Sequence, residues 1–513
     1  MLYFFNKINC GRWRKIPPYL WRWPVKTMEL RAAEKTNSRY VVYHLLVAAV
    51  YLLALLLPGQ LYPRYYMVLG TIVFAAIIFC SARSYLLAFF ALKKQDTYDR
   101  LPNELPRVSL IIPSYNEEAV LERTIPSVLA LDYPSDKLEL IYVYESACTD
   151  RTEQIIQAFA KRHPQIVPVQ RLTRKGGKAA VTNYGLEFAT GDIIGIFDAD
   201  HSLNSDLLRH AVAQLQAPDV KCVRGRCRTI NRTHNIVTRL VALERDVVER
   251  LCIYGAWRIG GFSTFTGGHA LFRREVFDEL GTFNEDILTE DIDFSVKLHA
   301  AGYQIAVLPT MQSWEEAPTS LRSLVSQRKR WTRGWIQVWR AHAACILKMK
   351  KASLFKRIDI LVSLTCAVVS GLLVALIPLK GLSALGFRTS EFGETLSFLL
   401  WLFASATPGI TALLAWCLDR KEESPPGRED LLLIPLLIPY IVFLFCVSWI
   451  CLVDEFVLGW PFAYVKTERV EEVLVPAKQD TGPVATLTAE DQVVPIEELA
   501  QGLKVGSAKS LDT

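Results

Sequence analysis

Residues 193–200 read IIGIFDAD, an apolar run followed by two aspartates that one residue separates. The run Ile193–Phe197 is typical of a strand whose two faces are both covered, as in a parallel sheet. Polar residues that follow such a strand lie at the edge of the sheet where ligands bind in open α/β folds. The stretch therefore predicts a buried parallel strand and a functional edge beside it.

Three further apolar runs of strand length precede this one, and helical stretches separate them. The runs are 107–113, 138–144 and 166–169, and residues 118–131, 150–162 and 178–189 show apolar residues at helical spacing. Alternation of strands and helices indicates βαβ units and a parallel sheet. We therefore predict an α/β domain of Rossmann-like architecture over residues 100–320.

Polar side chains follow three of the predicted strands. Tyr115 and Glu117 come after the first strand, Glu145 after the second, and Asp198 and Asp200 after the fourth. Because the carboxyl ends of parallel strands meet at one edge, we expect these side chains to face one cleft. No GxGxxG follows the first strand and no complete GxxxxGKS or GxxxxGKT occurs, so neither a nicotinamide cofactor nor a P-loop is indicated.

The two aspartates are candidates for a metal site. Alternate residues of an extended segment point to the same side, so Asp198 and Asp200 can act together. Two carboxylates so placed hold Mg²⁺ or Mn²⁺, with phosphate oxygens as further ligands. The alternative is a turn in which the carboxylates accept backbone hydrogen bonds. His201 follows the pair directly and is not expected to be a ligand.

Two more motifs lie further along the chain. The triplet Thr289-Glu290-Asp291 precedes an amphipathic helical stretch. A carboxylate there can take the proton of an acceptor hydroxyl, although the triplet is also suited to a helix cap. Residues from Gln327 to Trp331 read QRKRW and open a basic, aromatic stretch, for which an amphipathic helix on a membrane surface is the alternative interpretation.

Five apolar runs approach the length of about 20 residues that a helix needs to cross a bilayer. They are Val41–Leu57, Tyr66–Phe90, Ile360–Leu379, Leu396–Leu418 and Leu431–Leu458. A buried core helix is the alternative for any single run. Five runs in a chain of 513 residues, 51% of them hydrophobic, predict a multi-pass membrane protein.

Charges beside the apolar runs predict the orientation. Basic residues dominate the segment before the first run, and Lys93, Lys94 and Arg100 follow the second. The positive-inside rule therefore places the N-terminus and the α/β domain in the cytosol, and we expect the plasma membrane as the location. Basic residues on both sides of run 431–458 do not fit three full crossings after the domain, so we expect this run to be re-entrant or two short helices.

The chain thus divides into six predicted segments. They are a basic cytosolic or interfacial segment (1–40), two transmembrane helices (41–92), the α/β domain (100–320), amphipathic interface helices (321–355), about three transmembrane or re-entrant helices (356–460) and a polar, disordered tail (461–513). The eleven cysteines lack zinc-site spacing and are expected to be reduced thiols. The net charge of +6 comes from basic residues at the membrane flanks, which indicates lipid headgroups rather than nucleic acid as partners.

The motifs, taken in order, resemble those of a known enzyme family. PxYNE at 113–117, DxD at 198–200, TED at 289–291 and QxxRW at 327–331 resemble the motifs of family 2 inverting glycosyltransferases with a GT-A fold. The resemblance is closer to the membrane-integrated synthases of cellulose, chitin, hyaluronan and poly-N-acetylglucosamine. It covers residues 106–335 and the apolar runs on both sides. The motifs are specific for the family and do not specify the sugar.

The resemblance implies a role for each motif residue. On the donor side, Tyr115 and Glu117 would flank the nucleoside, and Glu145 would read the uracil. Lys178 would neutralise the diphosphate, and Asp198 and Asp200 would bind Mg²⁺ or Mn²⁺. Gln327, Arg330 and Trp331 would close over the diphosphate. On the acceptor side, Asp291 would be the general base, and Thr289, Glu290, Gly267, Gly268 and Trp331 would line the site. Glu145 and Ser146 stand where the family usually has two aspartates, which weakens the implied recognition of uracil.

The function that the resemblance implies is a metal-dependent hexosyltransferase. It would transfer a sugar with inversion from a UDP-sugar to a growing β-linked polysaccharide and couple this to translocation across the membrane. The alternative is a non-processive enzyme that glycosylates a ceramide-type or polyprenyl-type lipid. A transporter or sensor with a degenerate transferase domain is a third reading, and the presence of every motif residue argues against it.

Overall fold

The computed structural model describes residues 38–62, 64–93, 100–173, 176–375, 377–378, 381, 394–422 and 425–460. All of these residues belong to one compact unit. Most of the predicted basic segment 1–40 and all of the predicted tail 461–513 lie outside the described residues.

Two long apolar helices come first. Helix α1 spans Ser38–Leu61 and helix α2 spans Tyr65–Ala91, in agreement with the first two apolar runs. The hydroxyl of Tyr66 donates a hydrogen bond to the carbonyl oxygen of Leu56 (2.5 Å). This bond ties the start of α2 to the last turns of α1.

Within the described residues, the α/β domain has eight strands and eight α-helices. The strands are β1 Val108–Ser114, β2 Leu138–Glu145, β3 Ile166–Arg171, β4 Ile193–Phe197, β5 Ser202–Leu203, β6 Val220–Thr229, β7 His269–Arg273 and β8 Gln304–Glu315. The helices are α3 Glu118–Leu129, α4 Thr152–Ala160, α5 Gly177–Leu186, α6 Leu207–Gln214, α7 Ile236–Val247, α8 Tyr254–Arg258, α9 Glu275–Leu280 and α10 Glu290–Ala300. A π-helical turn, Val248–Ile253, joins α7 to α8, and a 3₁₀ turn, Ser135–Lys137, precedes β2.

The strands form one mixed sheet in the order β3-β2-β1-β4-β7-β6-β8-β5. The first four strands of the chain are parallel neighbours, which confirms the predicted βαβαβαβ half. The second half was not predicted: β7 runs antiparallel to β4 and to β6, whereas β6 and β8 are parallel to each other. Only the N-terminal half of the sheet is therefore of the simple parallel kind.

The antiparallel pairing of β7 with β4 determines what lies beside the aspartate pair. His269, the first residue of β7, pairs with Phe197, the last residue of β4. The turn that leads into β7 is therefore next to the segment that leaves β4. The amide of Asp198 donates to the carbonyl oxygen of Gly268 (3.3 Å) and continues the contact beyond the two strands.

Both faces of the parallel half are covered, as its apolar runs predicted. Leu110 of β1 packs with Leu121 of α3 on one face, and Ile111 packs with Val181 of α5 on the other. Helix α5 approaches closely because a β-carbon on Gly185 would lie 2.6 Å from Ile111. Alternate residues of one strand thus fill two separate cores.

Among the residues that the structure describes, four longer helical segments follow the sheet. They are α11 Leu321–Ile346, α12 Leu354–Leu372, α13 Glu394–Asp419 and α14 Leu437–Leu452, with 3₁₀ segments at Leu373–Ala375 and Arg428–Leu436 and a π-helical turn at Val453–Leu458. Most of the predicted interface segment 321–355 is one helix, α11, which packs against α12 and α14. Ser320 caps α11, since its side chain accepts a hydrogen bond from the amide of Ser323 (3.1 Å).

Four of the described helical stretches are long and apolar enough to cross a membrane, by length and composition. They are Tyr40–Gly59, Tyr65–Ala91, Thr395–Asp419 and Arg428–Leu458. The last is helical without a break, as 3₁₀-helix, α-helix and π-turn in succession, rather than two separate helices. Helix α12 follows the predicted run 360–379 only in part. It begins earlier, at Leu354, includes the charged residues Lys356, Arg357 and Asp359, and ends at Leu372.

Buried ion pairs join the α/β domain to the helices that follow it. Arg226 on β6 is 1% exposed, and its guanidinium pairs with Asp419 at the end of α13. It also lies 3.2 Å from Asp246 on α7 and 3.2 Å from Glu422. Removing one partner of a buried pair leaves the other charges without compensation, so Arg226 holds α13 against the sheet.

We expect the substitution Arg226→Met to destabilise the protein by about 3–5 kcal/mol, because Asp419, Asp246 and Glu422 would lose a shared buried counter-charge. Thermal unfolding of the detergent-purified protein, followed by tryptophan fluorescence, measures the loss. Glu104→Gln is the control, because its pair with Lys137 is exposed and should leave the unfolding temperature unchanged. Equal unfolding temperatures for the two variants would contradict the role given to Arg226.

Candidate active site

A cleft of about 1050 Å³ opens at the carboxyl ends of β1, β2 and β4. The start of α10 and the first half of α11 also line it. Every predicted site residue lines this cleft: Tyr115, Glu117, Glu145, Lys178, Asp198, Asp200, Gly267, Gly268, Thr289, Glu290, Asp291, Gln327, Arg330 and Trp331. The fold thus brings motifs from distant parts of the chain to one place.

Lys178 links the aspartate pair to the turn before β7. Its ammonium forms an ion pair with Asp198 and donates to the carbonyl oxygen of Gly267 (3.0 Å). Gly268 lies so close to Asp198 that a β-carbon on residue 268 would overlap the carboxylate. Burial alone would lower the pKa of Lys178, but the carboxylates of Asp198 and Glu290 outweigh burial and raise that pKa. Lys178 therefore stays charged beside the aspartates, where a cation can meet a phosphate.

Asp198, Asp200 and His201 form a candidate site for a divalent cation. One ligand atom from each residue lies within 4.8 Å of the other two. Burial would raise the pKa of Asp198, but the ammonium of Lys178 holds it below its ordinary value. The carboxylate is therefore charged. Two carboxylates at this separation suit Mg²⁺ or Mn²⁺, so the residues present fit the predicted metal.

The second acidic cluster stands at the start of α10. Asp291 accepts hydrogen bonds from the amides of Gly267 (2.8 Å) and Ile292 (2.9 Å). Burial raises the pKa of Asp291, and burial together with the charge of Asp291 raises the pKa of Glu290 to about 7. Thr289 occupies the N-cap position, but its side chain makes no capping hydrogen bond. The cluster therefore offers carboxyl groups with raised pKa values and does not act as a side-chain cap.

Helix α11 lies directly against this acidic cluster. A β-carbon on Gly334 would come within 2.6 Å of the Thr289 hydroxyl oxygen, so the absence of a side chain at position 334 permits the contact. Gln327 is buried, and its carbonyl oxygen has no hydrogen-bond partner in the described part of the chain. The guanidinium of Arg328 lies over the ring of Trp331, 4.6 Å from its centre. The predicted QxxRW residues Gln327, Arg330 and Trp331 thus line the same cleft as the acidic cluster.

Two loops form the opposite end of the cleft, and hydrogen bonds join them. The amide of Glu117 donates to the hydroxyl of Thr152 (2.7 Å), and the amide of Thr149 donates to the side-chain oxygen of Asn116 (2.8 Å). Asn116 has a φ of 53°, in the left-handed region that asparagine tolerates better than most residues. The loop that carries Tyr115 and Glu117 is therefore fixed to the loop after β2.

Glu145 is half of an ion pair. It pairs with Arg171 (2.9 Å), and both side chains are buried. The register of β2 and β3 sets this contact, because Glu145 and Arg171 are directly opposite each other. The sequence placed Glu145 at the cleft, but it did not predict that its charge is balanced by the neighbouring strand.

Sequence reasoning missed a polar cluster behind the aspartate pair. Glu315, the last residue of β8, lies 3.0 Å from Nε2 of His201 and pairs with Arg245 on α7. The thiol of Cys227 also donates to Glu315 (3.4 Å). Recognition of residues 304–315 as a strand would have placed Glu315 at the sheet edge. No local signal indicates that Arg245 is its partner.

The domain that contains this cleft is similar in sequence to known proteins. Residues 106–334 match the protein family described as "Glycosyltransferase like family 2". The chain is 30% identical over 251 residues to a probable glycosyltransferase, YdaM, of Bacillus subtilis, covering 48% of this chain and 60% of that protein. It is 31% identical over 283 residues to a β-monoglucosyldiacylglycerol synthase of Synechocystis. This match covers 53% of this chain and 57% of that protein. It is 28% identical over 249 residues to a poly-β-1,6-N-acetyl-D-glucosamine synthase of Staphylococcus epidermidis. This match covers 48% of this chain and 59% of that protein. The matches thus span somewhat more than half the length of these relatives.

Two solved structures are similar at lower identity. One is the mannosyltransferase PcManGT from Pyrobaculum calidifontis in complex with GDP-Man and Mn²⁺, at a TM-score of 0.45 and 24% identity, covering 68% of this chain and 97% of that one. The other is S. aureus TarS 1-349 in complex with UDP-GlcNAc, at a TM-score of 0.40 and 18% identity. This match covers 71% of this chain and 95% of that one.

The α/β domain is therefore a glycosyltransferase domain. Residues 106–334 match the family 2 glycosyltransferase model, and the mixed sheet with helices on both faces agrees with the α/β fold that the motifs predicted. The apolar helices α1, α2, α13 and α14 stand before and after this domain in the chain.

We expect Gly268→Ala to lower the thermal unfolding temperature, because the new methyl group would overlap the carboxylate of Asp198. Overpacking of this kind costs about 1–3 kcal/mol. Gly267→Ala is the matched control: the nearest atoms to its β-carbon are the flexible ends of Glu290 (3.1 Å) and Lys178 (3.3 Å), which can yield. The assignment of a close contact at Gly268 fails if both variants unfold at the same temperature.

Proposed function

We propose that this protein transfers a sugar from a UDP-sugar to an acceptor hydroxyl, with inversion, in a metal-dependent reaction at the cytosolic face of a membrane. One observation carries the proposal: Lys178, Asp198 and Asp291 all contact the single turn Gly267–Gly268. Groups suited to the leaving diphosphate and to the attacking hydroxyl therefore share one wall of one cleft. The family 2 match of the same residues supports this reaction class.

Asp198 and Asp200 are the residues that would hold Mg²⁺ or Mn²⁺. The ion would carry part of the negative charge of the leaving diphosphate. Lys178 is held beside the same carboxylate and would neutralise a phosphate oxygen. Arg330 adds a positive charge from α11, close enough to Glu290 to oppose the rise of its pKa. With the buried Gln327, Arg330 would close over the diphosphate.

The nucleoside would occupy the end of the cleft at the two joined loops. Tyr115 and Glu117 would flank it, since both line the cleft at this end. Glu145 is held in place by Arg171 (2.9 Å), so its carboxylate is a fixed acceptor for an N–H group of the base. A uracil ring offers such a donor. This supports UDP-sugars as the donors to test first.

Asp291 would act as the general base. The acceptor oxygen attacks the anomeric carbon while its proton passes to Asp291, and the bond from that carbon to the diphosphate oxygen breaks. A single displacement of this kind inverts the anomeric configuration and releases UDP. A raised pKa suits a base that works near neutral pH. Trp331 would stack on the acceptor, and Thr289, Glu290, Gly267 and Gly268 would line its site.

As acceptor we propose a growing β-linked polysaccharide. Helices α12 and α14 pack directly behind α11, which lines the cleft, and could guide a polymer into the membrane. A lipid is the second candidate, because the Synechocystis relative, at 31% identity, is named for a glucosylated diacylglycerol. Both acceptors offer a hydroxyl group to the same base.

We further propose that the protein is a multi-pass membrane protein of the plasma membrane, with the glycosyltransferase domain in the cytosol. The four helices of suitable length and composition support the first part of this proposal. The basic residues that flank the first two of them support the orientation.

The substitution Asp291→Asn should reduce sugar transfer by about 10²–10⁴-fold, because the acceptor hydroxyl would lose its base. The test uses protein purified in nanodiscs, supplied with Mg²⁺ or Mn²⁺ and each UDP-sugar in turn, with UDP release and product size both recorded. Asp286→Asn is the control, since Asp286 is a nearby exposed aspartate outside the cleft. UDP affinity should be equal in wild type and both variants.

The product distinguishes the two acceptors. A long polymer from one donor supports the polysaccharide, whereas a single sugar on diacylglycerol or another lipid supports the second candidate. Transfer that survives in Asp291→Asn at the wild-type rate would overturn the role of Asp291. Absence of UDP release with every UDP-sugar would overturn the proposed donor class.

Transfer by the wild type should fall on the acid side at a higher pH than an ordinary aspartate would impose, because burial raises the pKa of Asp291. A carboxyl group with a raised pKa retains its proton to a higher pH, so the carboxylate form is lost early on the acid side. Burial and the charge of Asp291 raise the pKa of Glu290 to about 7, so Glu290→Gln should remove the part of the acid limb near pH 7 and leave the part that Asp291 sets, at lower pH. The control Glu187→Gln alters an exposed glutamate on the surface. An acid limb at the same pH in wild type and Glu290→Gln would contradict coupling between Glu290 and Asp291.

A further inference from the structure

Two acidic residues interrupt the last apolar run of the chain. Asp454 and Glu455 lie in the π-helical turn that follows α14, and their side chains are 2% and 9% exposed. A charged residue in an apolar helix is costly unless it is paired, and π-helical turns are frequent at functional sites. The proposed reaction assigns no role to either acid, so their contacts were followed to their partners.

Both acids pair with basic residues of α11. The carboxylate of Asp454 lies 3.2 Å from the ammonium of Lys329. The carboxylate of Glu455 lies 2.9 Å from the guanidinium of Arg333 and 2.9 Å from that of Arg340. The turn after α14 is therefore fixed to α11 along about three turns of that helix.

Helix α1 joins the same group of charges. The hydroxyl of Tyr40 donates to Asp454 (2.9 Å) and accepts from the ammonium of Lys329 (2.7 Å). On the other side, Nε2 of His44 lies 3.1 Å from the second carboxylate oxygen of Asp454. The position of Asp454 is thus set by α1 and α11 together.

The paired basic residues occupy a different side of α11 from the residues that line the cleft. Successive residues of an α-helix are about 100° apart around its axis, so Lys329, Arg333 and Arg340 lie within about 40° of one another. The QxxRW residues, which line the cleft, are centred about 130° away from them. Contacts on one side and the cleft on another mean that these ion pairs fix the rotation of α11 about its own axis.

A small rotation of α11 would alter the cleft. Side chains reach about 5–6 Å from a helix axis, so a rotation of about 20° would move their ends by about 2 Å. A misplacement of about 1 Å can lower a reaction rate by about 100-fold. Residues that hold the rotation can therefore affect the reaction although they lie outside the cleft.

We propose that Asp454 and Glu455 are positioning residues for sugar transfer: through Lys329 and Arg333 they hold α11 in the rotation that directs the QxxRW residues into the cleft. The inference rests on the proposed function, in which these residues close over the diphosphate. An acid pair that only anchors the end of α14 is the alternative. The two interpretations differ in what happens to α11 when the acids are neutralised.

Hydrogen exchange tests the position of α11 without any donor. In the double variant Asp454→Asn/Glu455→Gln we expect faster exchange of the amides in the first half of α11. The amide of Leu288 should also exchange faster, because it donates to the side chain of Gln337 on α11 (3.1 Å). Mass spectrometry of peptic peptides from the full-length protein measures both. Wild-type exchange rates at both places in the double variant would overturn the proposal.

Asp430→Asn is the matched control for this measurement. It also removes a fully buried acid near the end of the chain, but Asp430 pairs with Arg232 (2.8 Å) and Arg239 (3.2 Å) rather than with α11. We expect this variant to leave the exchange of α11 and of Leu288 unchanged. Equal acceleration in the control would show a general loss of stability and would overturn the specific role of the two acids.

Ligand affinities test the connection to the cleft. Because the QxxRW residues would contact the diphosphate, we expect the double variant to bind UDP about 10-fold more weakly and to bind uridine as well as the wild type does. Ligand-observed NMR measures both affinities. Glu455→Asp retains the charge and should bind UDP more tightly than Glu455→Gln. Equal losses for UDP and uridine, or no loss for either, would overturn the proposal.

Failure of this proposal is distinguishable from failure of the proposed function. Faster exchange of α11 in the double variant of a protein that binds no UDP would support the positioning of α11 and overturn the donor class. Sugar transfer by the double variant at the wild-type rate would support the function and overturn the role of the two acids.

Discussion

The antiparallel pairing of β7 with β4 is the contact on which the active site depends. It places His269 opposite Phe197, and so brings the turn Gly267–Gly268 against the aspartate that follows β4. That turn then binds Lys178 through a carbonyl oxygen and Asp291 through an amide. Three charged groups from three separate elements are therefore positioned by the backbone of one turn. The absence of a side chain at residue 268 is a condition of this arrangement, because there is no space for one.

The cleft concentrates negative charge, and the surrounding residues compensate for it. Lys178 pairs with Asp198, Arg245 with Glu315, and Arg171 with Glu145. The same principle extends away from the cleft, where Arg226 joins the sheet to α7 and to the end of α13. Because buried charges are stable only with close partners, these pairs restrict how the helices can sit on the glycosyltransferase domain. Within the described part of the chain, the Arg226 pairs thus connect the sheet that carries the cleft to helix α13.

Much of the N-terminal half of the domain could be predicted because its signals are local. The apolar runs of β1 to β4 and the helical spacing between them are visible within short windows, and the observed elements agree within a few residues. The residues at the ends of these strands were therefore placed at the correct edge. The second half of the sheet was not predictable in this way, because β6, β7 and β8 pair across long separations in the chain. The contact between His201 and Glu315 was not predictable either, because the two residues are 114 positions apart in the chain.

The sequence by itself determined the α/β class of the fold, the apolar helices and the residues that line the cleft. These follow from periodicity and from motif chemistry, which a linear chain displays. The tertiary structure alone decided that Glu145 is balanced by Arg171, that Gly334 admits α11 to the acidic cluster at Thr289, and that residues 428–458 form one continuous helical stretch. The physical reason is that strand register, close backbone approach and the pairing of buried charges are properties of surfaces in contact. Such properties exist only after the chain has folded.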